Sequence, residues 1–158
     1  MSRPSWDQYY IDLLPEIGKR ATCDRAKTSC IFVKDKQILA TGYIGSPPGF
    51  PHCDDVGHLF KKVIHEDGSI SQHCVRTIHA EQNAICQAAK HGINLSGATV
   101  YCTMEPCRVC AMLLITIGVD RVVCKYRYHA GAETREYFSE AEIPLEVIDD
   151  EVAVYPDQ

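Results

Sequence analysis

His79, Glu81, Cys107 and Cys110 are the residues of this 158-residue chain whose types and spacing suit them to chemistry. They stand in two short runs, His79-Ala80-Glu81 and Pro106-Cys107-Arg108-Val109-Cys110. One imidazole and two thiolates bind zinc and leave one coordination position for water. Zinc lowers the pKa of such water from about 15.7 towards about 7, so hydroxide is available at neutral pH. Glu81 is the one acidic side chain of the first run and is free to carry protons. A closed structural knuckle would need a fourth protein ligand and has no use for that carboxylate.

Both runs sit where helices should begin. Ala80, Ala84, Ile85 and Ala88 repeat at helical spacing after His79. Pro106 suits the first turn of a second helix, Cys107 to Ile117, which Gly118 ends. Thiols at a helix N-terminus ionise more easily. An H-x-E run followed by P-C-x-x-C is the pattern of zinc-dependent base deamination, in which hydroxide adds to the carbon bearing an exocyclic amine.

The remaining elements must hold those two helix starts together. Tyr9, Tyr10, Leu13, Leu14 and Ile17 predict a first helix capped by Ser5 or Asp7 and kinked or split at Pro15. Cys30 to Val33 and Gln37 to Tyr43 predict two strands joined at Asp35-Lys36. A long loop, 45–78, rich in Gly, Pro, His and Asp, follows. Strands at Ala98 to Thr103, Arg121 to Tyr126 and Leu145 to Ile148 then alternate with helices from His79, from Cys107 and over Glu133 to Ala141. Such alternation calls for an α/β fold with parallel strand pairs and helices packed on the sheet. The length fits a single domain, 1–158, with an acidic, peripheral tail over 149–158.

Apolar content of 46% and charged content of 23% are those of a soluble globular protein. A formal charge of -5 argues against broad binding to nucleic acid, though not against one small nucleotide. No run approaches a membrane span, and Met1 to Tyr10 lacks a basic-then-apolar leader layout. The nine cysteines are an odd number and several adjoin histidines, which fits metal binding in a reducing cytoplasm better than disulfides. Cys23, Cys53 and Cys74, closed by one histidine among His52, His58 and His73, with His73 the first choice, are candidates for a second zinc that pins the long loop. Free thiols and surface histidines are the plainer alternative. Cys30, Cys86, Cys102 and Cys124 fall within element patterns and read as small core residues.

The chain resembles the cytidine and deoxycytidylate deaminases, particularly the bacterial and phage deoxycytidylate type, from Trp6 to about Ile148. The resemblance is carried by Thr22-Cys23-Asp24-Arg25, the run Ile38 to Tyr43, His52-Cys53, the run His73 to Ile85, the run Gly97 to Thr103, and Glu105-Pro106-Cys107. It implies a three-layer α/β/α fold around a five-stranded mixed sheet and hydrolysis of dCMP to dUMP and ammonia. It also implies homo-oligomers, hexamer or dimer, and in some relatives a second zinc with dCTP and dTTP as effectors. The substrate contacts implied are Ile44, Ala80, Thr103, Glu105 (through its carbonyl), Tyr128 and Arg25. Lys27, Arg76 and Arg108 are further cations that a phosphate or the pocket could draw on.

This chain departs from the family at Gly42-Tyr43-Ile44-Gly45, where the usual pattern has asparagine at the third position. Ile44 offers no side-chain hydrogen bond, and discrimination by such bonds is large where a site is built for them. Other substrates therefore stay open: a modified cytosine nucleotide, a nucleoside, a free base or a tRNA adenosine. A non-catalytic zinc domain is the reading from a different class.

Overall fold

The computed structural model describes residues 2–156. Helix α1 (Trp6–Gly18) starts where Ser5 Oγ accepts the Gln8 amide at 3.1 Å. It runs through Pro15 as one helix rather than splitting there. Proline removes a single rung of the ladder, while Tyr10, Ile11 and Leu14 are fully buried and hold the helix against the sheet.

Strands β1 (Ser29–Lys34) and β2 (Gln37–Tyr43) form a hairpin through Asp35 and Lys36, whose φ values of 51° and 61° suit a type I′ turn. Segment 45–78 is not one long loop. It holds a short helix, α2 (Cys53–Val56), and a two-stranded ribbon of β3 (Phe60–Ile64) and β4 (Ile70–Cys74). Every residue of β3 is exposed, so the alternation of buried and exposed residues that marks a strand in sequence is absent.

The second half follows the expected alternation: α3 (Ala80–His91), β5 (Thr99–Met104), α4 (Arg108–Ile117), β6 (Arg121–Tyr126), α5 (Ala132–Glu140) and β7 (Leu145–Val147). Pro106 lies just outside α4, and Cys107 is its N-cap. The five-stranded sheet runs β2-β1-β5-β6-β7, antiparallel from β2 to β5 and parallel from β5 to β7.

The pleat sends alternate residues of β1 to opposite faces. Cys30 and Phe32 join Ala80, Ala84, Ala111, Leu114 and Phe138 of α3, α4 and α5, whereas Ile31 and Val33 join Tyr10, Ile11 and Leu14 of α1. The result is a three-layer α/β/α fold. Asp7 fastens the lone helix by accepting from Tyr101 and, at 2.7 and 2.9 Å, from Arg121, whose guanidinium holds the Asp7 carboxyl below its usual range. Cys30, Cys102 and Cys124 are core residues as expected, but Cys86 faces solvent on α3.

The tail is mostly exposed yet held in place over 149–156; residues 157 and 158 of the expected tail lie outside the described residues. Arg127 donates its amide to Glu151 and accepts from Ala153, laying 149–156 along the chain that continues from β6.

Gly42 fixes the distance between β2 and α3. A Cβ there would lie 2.1 Å from the Ala80 carbonyl oxygen and 2.6 Å from the Ala84 nitrogen. Both are helix backbone, so α3 must retreat. Gly42→Ala is therefore expected to cost about 3 kcal/mol through overpacking, lowering Tm by about 6–12 °C in a chain of this size. Thermal unfolding checks this; an unchanged Tm would mean that α3 does not sit so close.

Candidate active site and metal centres

Helices α3 and α4 bring their N-termini together beyond the carboxyl end of β5, beside the place where the sheet changes from antiparallel to parallel pairing. Clefts at such switch points are the usual ligand sites of open α/β sheets. His79 is the N-cap of α3 and Cys107 that of α4. The Gln82 side chain accepts the His79 amide at 2.8 Å, and the Asn83 amide group donates to the Tyr43 carbonyl at 3.0 Å. These bonds fix the start of α3 against the end of β2.

His79 Nδ1 lies 3.4 Å from Cys107 Sγ and 3.5 Å from Cys110 Sγ. Tetrahedral zinc with bonds of about 2.05 Å to nitrogen and about 2.3 Å to sulfur sets such edges at about 3.6 Å. The donor set fits the metal. Contact with Cys110 and with the His79 imidazole holds the Cys107 thiol at about 4, while Cys107 and burial drive Cys110 upward. The pair thus shares one negative charge, and a divalent cation is what allows both to stay thiolates. Glu81 is 7% exposed on the first turn of α3. Burial raises its pKa, partly offset by His79.

Cys23, Cys53, His58 and Cys74 form a second cluster. Cys23 Sγ is 3.5 Å from His58 Nδ1, and Cys53 Sγ is 3.6 Å from Cys74 Sγ, again close to the edges of a zinc tetrahedron. With four protein donors this set is closed. Burial raises the Cys23 thiol, whereas at Cys74 the neighbouring backbone of Arg76 and Leu59, with His58 and Cys53, outweighs burial and brings the thiol to about 7.

The histidine of this cluster is His58, not His73. Adjacent residues on a strand point to opposite faces, so with Cys74 of β4 turned to the cluster, His73 turns away and meets Ser71 Oγ at 2.9 Å.

The cleft above Glu81, His79 and Cys107 has a volume of about 100 Å³ and is open to solvent. Ile44, Arg25, Glu105 and Tyr128 line it as expected; Ala80 and Thr103 do not. Ala80 is fully buried under the sheet, and Thr103 Oγ1 is taken up by Ser29, whose amide it accepts at 3.0 Å. Arg76 caps the Gly57 carbonyl and Arg108 lies 3.6 Å from Glu133, so neither reaches the cleft, nor does Lys27.

The Glu105 carboxylate is buried. It accepts from Arg135 at 2.9 and 3.0 Å and from the Tyr128 amide at 3.1 Å, with Arg127 at 3.7 Å. Its side chain therefore places Tyr128. His73, Gln72 and Tyr155 also line the cleft, and sequence reasoning passed them over as pocket residues. Nothing local marks them, because the ribbon and the tail bring them there.

Fold and site together define a zinc-binding α/β/α protein with a carboxylate beside an open metal position. A model of the cytidine and deoxycytidylate deaminase zinc-binding region matches residues 4–126. The ComE operon protein 2 of Bacillus subtilis is 37% identical over 98% of this chain and 77% of its own length. The deoxycytidylate deaminase of Mycobacterium phage D29 is 34% identical over 78% of this chain and 96% of its own. Among solved structures, the dCMP deaminase of cyanophage S-TIM5 in complex with dCMP and dUMP superposes with a TM-score of 0.74 at 27% identity, over 94% of this chain and all of that one. The chain belongs to the cytidine and deoxycytidylate deaminase family.

Two zinc ions per chain are expected by elemental analysis. Cys53→Ser and His58→Ala should each leave about one, whereas His73→Ala should keep both. Loss of an ion on replacing His73, with none lost on replacing His58, would reverse the assignment.

Proposed function

We propose that the protein, acting as one domain, hydrolyses dCMP to dUMP and ammonia. The observation that carries this reading is Glu81: a buried carboxyl at the floor of an open cleft, against an incomplete set of three zinc donors. The deoxycytidylate deaminases among its relatives support the choice of nucleotide. Zinc bound by His79, Cys107 and Cys110 supplies Lewis acidity that makes water acidic near neutral pH.

Glu81 then does the proton work. It accepts a proton from water as the oxygen bonds to C4 of the pyrimidine, and passes that proton to N3. It takes the second proton from the new hydroxyl and gives it to the amine nitrogen. The C4–N bond breaks, ammonia leaves and the C4 carbonyl forms. Burial favours the protonated carboxyl, which suits a group that must donate as well as accept.

Ile44 lines the cleft without a side-chain hydrogen bond to give, and we assign the 5′ phosphate to Arg25 and Tyr128, which line the same cleft. Assembly into a homo-oligomer, with dCTP and dTTP as effectors, completes the reading; exposed Val109, Met112 and Leu113 on α4 support the assembly. No helix among the described residues is long and apolar enough to cross a membrane. We place the protein in the cytoplasm, where ligating thiols stay reduced.

Ammonia release should be fastest from dCMP in a panel with dCTP, cytidine, cytosine and adenosine. Glu81→Gln should lower turnover by about 10²–10⁴ while zinc content is kept. Full turnover by that variant would remove Glu81 as the proton carrier, and preference for another substrate would remove dCMP.

A further inference from the structure

Segment 149–156 runs as a strap from the chain that continues β6 to the rim of the cleft, which Tyr155 lines. At one end it is stitched to Arg127 by two backbone hydrogen bonds and by the ion pair of Arg127 with Asp150. At the other end Tyr155 and Pro156 meet Arg25. Between these points the strap spans a second hollow whose opposite wall includes Thr28, Thr103, Met104 and Tyr126, and Val154 stands 89% exposed. The strap is thus held at its two ends and bears little on the core between them.

What the far end touches gives it a task. Arg25 lines the cleft yet is only 8% exposed. Its guanidinium contacts two rings, 5.1 Å from the centroid of Phe60 and 5.2 Å from that of Tyr155. Its Nε donates to the Pro156 carbonyl at 3.0 Å and its Nη2 to the Gln72 carbonyl at 3.3 Å. Two ring contacts and two carbonyl acceptors restrict the side chain.

His73 lines the cleft with Arg25, and the Tyr155 hydroxyl is 3.4 Å from His129 Nδ1. Burial favours the neutral form of both histidines, so Arg25 is the cation that lines the cleft in a chain of net charge -5. A fixed, planar guanidinium in such surroundings suits an oxyanion such as phosphate.

We propose that the strap is a working wall of the substrate site and that Tyr155 is a positioning residue: by holding Arg25 at the rim, it gives the enzyme its preference for a nucleotide over the bare nucleoside. Tyr155 acts through Arg25, so its contribution appears in substrate capture rather than in the proton transfers at Glu81. The ring does the holding, and the hydroxyl is dispensable. The proposal rests on the dCMP reading given above.

The test is steady-state deamination of dCMP and of deoxycytidine by the zinc-loaded full-length protein and by Tyr155→Ala and Tyr155→Phe. Tyr155→Ala should raise KM for dCMP at least tenfold with kcat within about twofold, and should lower the ratio of kcat/KM for dCMP to that for deoxycytidine at least tenfold. Tyr155→Phe should keep that ratio within about twofold of wild type. A Tyr155→Ala ratio equal to wild type, or a Tyr155→Phe ratio as low as that of Tyr155→Ala, overturns the proposal. Wild-type protein that does not deaminate dCMP overturns the parent reading and the strap's role with it, which separates that failure from the other two.

Discussion

The approach of two helix N-termini is the constraint on which this molecule depends. His79 can face Cys107 and Cys110 only because α3 and α4 both start at the same edge of the sheet, where their amide ends point inward. The fully buried alanines 80, 84 and 88 of α3 and the bare Cα of Gly42 let that helix lie close on the sheet. Larger side chains at these positions would move the imidazole away from the sulfurs. Close packing thus becomes metal geometry, and metal geometry decides where a proton-carrying carboxylate can work.

The two metal centres divide their tasks by coordination. Three donors beside a cleft leave a position for chemistry, whereas the four donors of the second cluster are closed and structural in kind. That second cluster is nevertheless close to the chemistry. Arg25 stands two residues after Cys23, and Cys74 follows Gln72 and His73, three residues that line the cleft. The ribbon of β3 and β4 buries little apolar surface of its own and needs an anchor. A metal ion held by Cys23, Cys53, His58 and Cys74 would supply one and so fix the cleft wall.

How much of this was legible in the sequence depends on the range of each signal. His79, Glu81, Cys107 and Cys110 could be read because their chemistry is packed into two short runs at helix starts. The strands Gln37–Tyr43 and Arg121–Tyr126 could be read from their apolar patterns. The choice between His58 and His73 could not be made without knowing that residues 70–74 form a strand, since the alternation of that strand is what turns His73 away from the ion. The burial of Glu105 was equally hidden, because its partners Arg127 and Arg135 stand far along the chain and only the fold brings them together. The tail misled for a related reason. Its acidic composition suggested a solvated end, but Asp150 is paired with Arg127 and Tyr155 reaches back to the cleft.

The central claim is that one imidazole and two thiolates hold a zinc ion whose remaining position opens on Glu81. A crystal structure of the zinc-loaded protein, with the metal located by anomalous scattering, tests it most directly. The account predicts an ion about 2.1 Å from the imidazole nitrogen of His79 and about 2.3 Å from the sulfurs of Cys107 and Cys110, with the Glu81 carboxylate nearby but outside the coordination sphere. An ion bound directly by Glu81, or closed off by a fourth protein donor, would contradict it.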